Sequence, residues 1–258
     1  MTAKNIVYRT DGIARYFERH RRHWDEFYPS ERWVFEAIAR ERPSLGAVLD
    51  VGCALGGLGT ALAERFPLER YVGVDINRQA IEAAQARPAA IPSEFIAGDI
   101  CDCAPLAGRV FDLVAALSVV DWNLDGTGIL KACWERVAPG GHLVLSLRLT
   151  PGAGVRDPAR SFQYIWHGAE PPPADAERAP YVVLNGVDAL RLLASQVPAP
   201  ARILGYGYWG RPSATARTLY ERLVFAVFAL RKAAAGETPD EPALELHLPS
   251  SVLLPAAR

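Results

Sequence analysis

Between Ala47 and Leu149, five short apolar runs alternate with stretches of helical periodicity, and this alternation limits the possible folds more than any other feature. The runs are Ala47–Val51, Tyr71–Asp75, Glu94–Asp99, Phe111–Leu117 and His142–Leu149, the last entered through Pro139-Gly140-Gly141. They are nearly continuous in apolar character, as strands covered on both faces must be. The segments between them read as helices over about 58–66, 78–87 and 129–137, with Pro88 stopping the second. Strands and helices in this order predict a parallel sheet with helices on both faces.

The flanks are less regular. From Asp11 to Arg40, aromatic and apolar residues recur at helical spacing, and Pro29-Ser30 divides them into two expected helices. After Thr150, the segment at about 151–180 is rich in Pro, Gly and Ala yet carries Ser161-Phe162-Gln163-Tyr164-Ile165-Trp166-His167. A disordered linker would hold fewer aromatics, so this segment is expected to fold back over the domain. Beyond it we expect extended chain at 181–184, a helix over 187–197, a sixth strand over 201–209, a long helix over about 213–234 and a last strand near 244–248.

Composition narrows the partners. With 258 residues, half of them apolar, the chain can bury one substantial core. Its formal net charge of −1 lacks the basic excess of a dedicated nucleic-acid binder, so a small-molecule partner is expected. No apolar run has the length of a membrane helix, and the charged N-terminus has no secretory-signal pattern, so a cytoplasmic location is the expectation. Cys53, Cys101, Cys103 and Cys133 lack paired metal-ligand spacing, so no metal site is expected.

Ligands of open parallel sheets bind at the carboxyl ends of the strands, where strand order reverses. The residues of unusual type cluster there. Gly52-Cys53-Ala54-Leu55-Gly56-Gly57 follows the first strand, and glycines in such a turn let the backbone approach a ligand. Asp75 ends the second strand, where a carboxylate can accept hydrogen bonds from both hydroxyls of a ribose, and Asp99 ends the third, placed for an adenine amino group. Singly, each has an ordinary reading as a cap or turn former. Gly52-x-Ala54-x-x-Gly57 with a later Asp75 also fits the looser fingerprint of nicotinamide and flavin enzymes.

The ordered set Val48-Leu49-Asp50-Val51-Gly52, Gly73-Val74-Asp75, Gly98-Asp99-Ile100, Phe111-Asp112-Leu113-Val114 and Arg136-Val137-Ala138-Pro139-Gly140-Gly141-His142-Leu143-Val144-Leu145 resembles the class I S-adenosylmethionine-dependent methyltransferases over roughly residues 46–150. The resemblance implies a doubly wound, seven-stranded, mostly parallel Rossmann-like sheet over 44–258, with its last strand antiparallel, a helical cap over 1–43 and an insertion after the fifth strand. It implies S-adenosyl-L-methionine as cofactor, with Asp50 and Gly52 near the methionine portion and Cys53, Ala54 and Gly56 in the turn beside it. Asp75 would hold the ribose, Ile76 pack on adenine, Asp99 and Ile100 complete the adenine pocket, and Leu117 and Ser118 flank the methionyl group. The family commonly has glycine where this chain has Ala54.

The acceptor is less constrained. Asp121 and Trp122 lie in the loop after the fourth strand, next to where the methyl should emerge, and His167 lies on the aromatic insertion. Asp121 and His167 are the candidate bases, histidine because imidazole titrates near neutrality and aspartate if burial raises its pKa. Tyr8, Tyr16, Trp24, Phe162, Tyr164 and Trp166 are candidates to line an aromatic or sugar site, and Arg9, Arg15 and Arg19 to meet an anion. The reading is metal-free methyl transfer to a small molecule such as a sugar or a secondary-metabolite hydroxyl. The alternatives are a nicotinamide-dependent oxidoreductase and a non-catalytic nucleotide-binding relative of the methyltransferases.

Overall fold

A computed structural model describes residues 16–89, 91–166, 171–173, 175–198 and 200–254. Strand β1 (Gly46–Val51) is buried along its whole length, as its unbroken apolar sequence requires. It pairs in parallel with β2 (Leu68–Asp75) on one side and β4 (Phe111–Ala116) on the other. Outside these, β3 (Ser93–Ala97) runs parallel to β2, and β5 (Val137–Thr150) parallel to β4. Strand order therefore reverses at β1 and β4, as it must for a ligand crevice to open at their carboxyl ends.

Helices cover both faces. Helices α1 (Pro29–Glu41) and α2 (Gly57–Ala63) bury Val34, Phe35, Leu58 and Leu62 against one face. On the other, α4 (Gly126–Glu135) and α5 (Gly186–Gln196) bury Ile129, Leu130 and Leu193. Side chains outside the helices set several starts. Asn77 Oδ1 accepts from the backbone of Gln79 and Ala80 to begin α3 (Arg78–Gln85), and Asp125 and Asn185 do the same for α4 and α5. Helix α1 begins at Pro29, a residue that has no N–H to leave unpaired in a first turn.

The far half of the sheet differs from expectation in one element. The long helix expected over 213–234 is instead a bend, a two-residue strand β10 (Ala216–Arg217), and a ten-residue strand β11 (Leu223–Lys232). Strand β11 lies antiparallel between β5 and β9 (Pro200–Gly210), and Val224, Ala226, Val227, Phe228, Ala229 and Leu230 are buried. An apolar run of this length has no polar face to report its period, and here two neighbouring strands captured it. The reversed strand is thus β11, whereas the last strand β12 (Ala243–His247) runs parallel to β9 at the sheet edge. With β8 (Leu184–Asn185) beside the end of β5, the sheet has nine strands among the described residues and is mostly parallel, as the expected doubly wound fold requires.

The N-terminal segment also departs from regular helix. Among the described residues, Tyr16 and Phe17 are helical ahead of the turns and bends at 18–23 and a single helical turn at Trp24–Glu26. Arg21 adopts φ 57°, and its carbonyl lies where a side chain on Gly57 would begin, 2.0 Å from an ideal Cβ. Within 151–180, β6 (Phe162–Tyr164) pairs with β7 (Arg178–Pro180), and β6 also pairs with β10, in a small separate sheet. The Arg178 guanidinium covers Phe162 and Tyr164 at 4.7 and 5.0 Å. Among the described residues no group of three or more His, Cys, Asp or Glu could hold a metal ion, and no helix is long and apolar enough to cross a membrane.

Candidate active site

A cavity of about 590 Å³ opens at the carboxyl ends of β1, β2, β4 and β5. Its floor is mostly backbone. After β1 the chain turns at Gly52, with φ 71°, and the amides of Gly52 and Cys53 both donate to the Val74 carbonyl. A Cβ on Gly52 would lie 2.7 Å from Val119 Cγ2, so both conformation and space require glycine. Asp75 ties this turn to the end of β2. Its Oδ2 accepts from the Ala54 amide and its Oδ1 from the Asn77 amide, each at 2.8 Å. A carboxylate oxygen offers about two acceptor sites, so each retains capacity for a ligand hydroxyl. Burial pushes the Asp75 carboxyl above the usual range, and the two amides pull it back.

Ala54, Ser118 and Arg21 are the three non-glycine residues with positive φ among the described residues, and all three line this cavity. Such backbone costs on the order of 1–3 kcal/mol per residue and persists only where the surroundings hold it. Here Asp75 holds Ala54, and Ser146 Oγ accepts from the Ser118 amide at 2.6 Å. At the end of β1, Asp50 is 4% exposed and accepts a hydrogen bond of 2.6 Å from the Tyr71 hydroxyl. Burial pushes its carboxyl up to about 7, against the pull of that hydrogen bond.

The chamber above this floor is built of side chains. Arg148, buried on β5, donates to the Asp121 carbonyl at 2.8 Å and places Nε 3.4 Å from Asp121 Oδ2. Its guanidinium lies 3.7 Å from the Tyr181 ring centroid and 4.8 Å from that of Trp122. Asp121 is 3% exposed, and burial raises its carboxyl while Arg148 lowers it. Asp121 Oδ1 and Trp122 Nε1 are buried with no hydrogen-bond partner among the described residues. From the N-terminal side come Tyr16, Tyr28 and Arg21, the last paired with buried Glu31 at 2.9 Å. Gln163 and Tyr164 of β6, Tyr208 of β9, and Arg211, Ser213 and Thr215 of the segment leading to β11 close the remaining wall.

Asp50, Gly52, Cys53, Ala54, Asp75, Ile76, Asp99, Ile100, Leu117 and Ser118 therefore line one cavity, and Asp121 joins them from the chamber. Gly56 is absent from the lining. It starts α2 with φ 77°, where a Cβ would meet the Phe95 ring, and Gly57 reaches the cavity instead. His167 lies outside the described residues, as do Tyr8, Arg9 and Arg15. Trp24 packs against Phe66 and Phe35, and Arg19 is exposed. Sequence reasoning missed Tyr28, Arg148, Tyr181, Tyr208 and Tyr71. Only Arg148 left a signal, as a cation inside the apolar run Leu143–Leu149.

Comparisons with known proteins fit this geometry. Residues 49–145 match the family model described as a methyltransferase domain. A trans-aconitate 2-methyltransferase of Acidovorax ebreus (strain TPSY) is 30% identical over 131 residues, covering 48% of this chain and 49% of that one. Another, of Deinococcus radiodurans, is 34% identical over 113 residues, covering 43% of this chain and 41% of the relative. The chain thus spans about half the length of the curated relatives it matches. The fold is shared with an N-methyltransferase of Bradyrhizobium japonicum WM9 solved with S-adenosyl-L-homocysteine, at 19% identity and a TM-score of 0.51, covering 86% of this chain and 99% of that one. It is also shared with an amino pentose methyltransferase of Micromonospora echinaspora, at 19% identity and a TM-score of 0.50, covering 88% and 98%.

Proposed function

We propose that this chain, whose residues 49–145 match the methyltransferase-domain model, is a class I S-adenosylmethionine-dependent methyltransferase that methylates a hydroxyl of a small molecule seated in the chamber beside Asp121. The observation that carries this reading is the continuity of the cavity. A glycine floor with a carboxylate fit for a ribose opens directly onto a chamber that Asp121 lines.

The residues on the floor suit the cofactor. In this reading Asp75 accepts from the ribose hydroxyls, and Ile76 and Ile100 sandwich the adenine, whose amino group Asp99 receives. Leu117, Ser118, Cys53 and Ala54 border the methionyl portion. When bound, the cofactor supplies a methyl group on a sulfonium, which needs an aligned acceptor and no enzyme nucleophile. The chain's task is then to exclude water, orient the acceptor and receive its proton. Trp122, Tyr181 and Tyr208 offer aromatic walls for a sugar or a secondary metabolite. Arg148 holds Asp121 through Oδ2, and in this reading a rotation of the carboxyl group would turn an oxygen of Asp121 toward the chamber to take the hydroxyl proton. No metal is required in this scheme.

Methyl transfer from labelled S-adenosyl-L-methionine to a panel of sugars, phenols and carboxylates, trans-aconitate included, tests the reading. A hydroxyl acceptor yields an alkali-stable methyl ether, whereas alkali-labile methyl ester would move the reading to a carboxylate acceptor. That second possibility is supported by Arg211 on the cavity wall and by the trans-aconitate relatives. With an acceptor in hand, Asp121→Asn should lower turnover by roughly 10² or more with cofactor affinity intact. If Asp121→Asn turns over normally and His167→Ala does not, the base is His167. EDTA should leave the rate unchanged.

A further inference from the structure

Behind the cavity floor lies a residue that never reaches the cavity and yet contacts its wall. Tyr71 is 1% exposed on β2, and its hydroxyl donates at 2.6 Å to Asp50 Oδ2, while Asp50 itself lines the cavity at the end of β1. The surrounding sequence leaves room for this ring. A Cβ on Gly59 of α2 would lie 2.7 Å from two Tyr71 ring carbons, and the Phe95 ring packs at 5.9 Å on the other side. A phenylalanine would fill the same space, so packing alone does not account for the hydroxyl. Asp50 sits on a cavity wall with a second carboxylate, Asp75, facing it, while the cation that faces it, Arg21, is paired with Glu31, an arrangement that a further cation in the cavity would relieve.

On the reading that the floor binds the cofactor, we propose that Tyr71 is a positioning residue: its hydroxyl fixes the Asp50 carboxylate as the counter-charge for the ligand's α-ammonium group. The groups facing Asp50 are Tyr71 and Asp75 on β2, Cys53 on the turn after β1, and Arg21 from the N-terminal segment. Burial holds the Asp50 carboxyl at about 7, Tyr71 lowers it, Asp75 raises it further and Arg21 lowers it. An acid whose pKa is raised in the free protein must be ionised to meet a cation. Affinity for an ammonium-bearing ligand should therefore fall as pH drops below 7 and recover above it.

Two probes separate this role from a structural one. S-adenosyl-L-homocysteine carries the α-ammonium group, whereas 5′-methylthioadenosine has the same nucleoside and thioether without it. In the parent, calorimetry should show affinity for S-adenosyl-L-homocysteine rising about five- to tenfold from pH 6 to 7.5, a range in which the ligand's α-ammonium group, raised by its adjacent carboxylate, stays protonated. Affinity for 5′-methylthioadenosine should be flat over that range. Tyr71→Phe should weaken S-adenosyl-L-homocysteine about tenfold at pH 7 and shift its pH dependence upward, with 5′-methylthioadenosine unchanged within about twofold. Asp50→Asn should remove the pH dependence altogether. Equal losses on both probes, or no loss on either, would overturn the inference. So would a flat pH profile for S-adenosyl-L-homocysteine in the parent, which decides the matter even if Tyr71→Phe does not fold. A parent that binds neither probe would remove the cofactor reading itself, and this inference with it.

Discussion

The floor and the chamber of the cavity are built by opposite means. The floor presents backbone at the ends of neighbouring strands, held by a few hydrogen bonds such as those of Asp75 with the amides of Ala54 and Asn77. The chamber presents side chains from stretches far apart in the chain, from Tyr28 to Arg211, and its central pair joins Asp121 to Arg148. A site made by backbone depends on local conformation and carries a local motif. A site made by distant side chains depends on packing, and nothing in the spacing of its members announces it.

If the two regions are independent in this way, variants should damage one and spare the other. The largest effect should come from Arg148→Met, which strands the Asp121 carboxylate in the interior at a cost of about 3–5 kcal/mol. Urea denaturation should register that loss. Asp121 already has a raised pKa in the folded protein, and removing its cation raises it further, so the folded state should bind a proton that the unfolded state does not. The deficit should shrink as pH is lowered from 8 to 5.5, while the affinity of folded protein for S-adenosyl-L-homocysteine stays within about twofold. A comparable loss of cofactor affinity would show that the regions are coupled.

Next in size, Gly52→Val should reduce affinity for S-adenosyl-L-homocysteine by roughly 100-fold, about 2.7 kcal/mol, because its side chain collides with Val119 and its φ is forced. Calorimetry on the folded variant measures this, and normal affinity would remove the glycine floor from the account. The smallest effect should be favourable. Ala54 holds φ 47°, so Ala54→Gly should raise stability by about 0.5–1 kcal/mol in the same urea assay. A destabilised variant would mean that the Ala54 methyl, buried with Leu55 and Ala80, contributes more by packing than its backbone costs.

The same contrast explains what could be read from the sequence. The first five strands, the glycine turn and the carboxylates at 50, 75 and 99 were legible because each is written in consecutive residues and repeats on one spatial plan. Strand β11 was not, since Leu223–Leu230 shows no polar face and its state is decided by β5 and β9. The Tyr71 hydroxyl was hidden for a related reason. Tyr71 reads as one more strand residue, and its partner is 21 positions away on the neighbouring strand. Ala54 could be seen as a departure from glycine, but the strain it carries required knowing that Asp75 pins its amide.

Strand β11 also orders the assembly of the molecule. It occupies the slot between β5 and β9, both of which emerge earlier in synthesis, so β9 has no path to the sheet until β11 has been made. A nascent chain ending near residue 200 exposes the flank of β5 as an unsatisfied edge, which is a hazard for pairing with other chains. The hairpin of β9 and β11 must close and dock as a unit, and its connection carries β10, which brings β6 and β7 with it. The chamber beside Asp121 is therefore completed in the step that seals the sheet, long after the floor has all its residues. Slowing that docking should leave a half-built protein with the glycine floor formed and the chamber open.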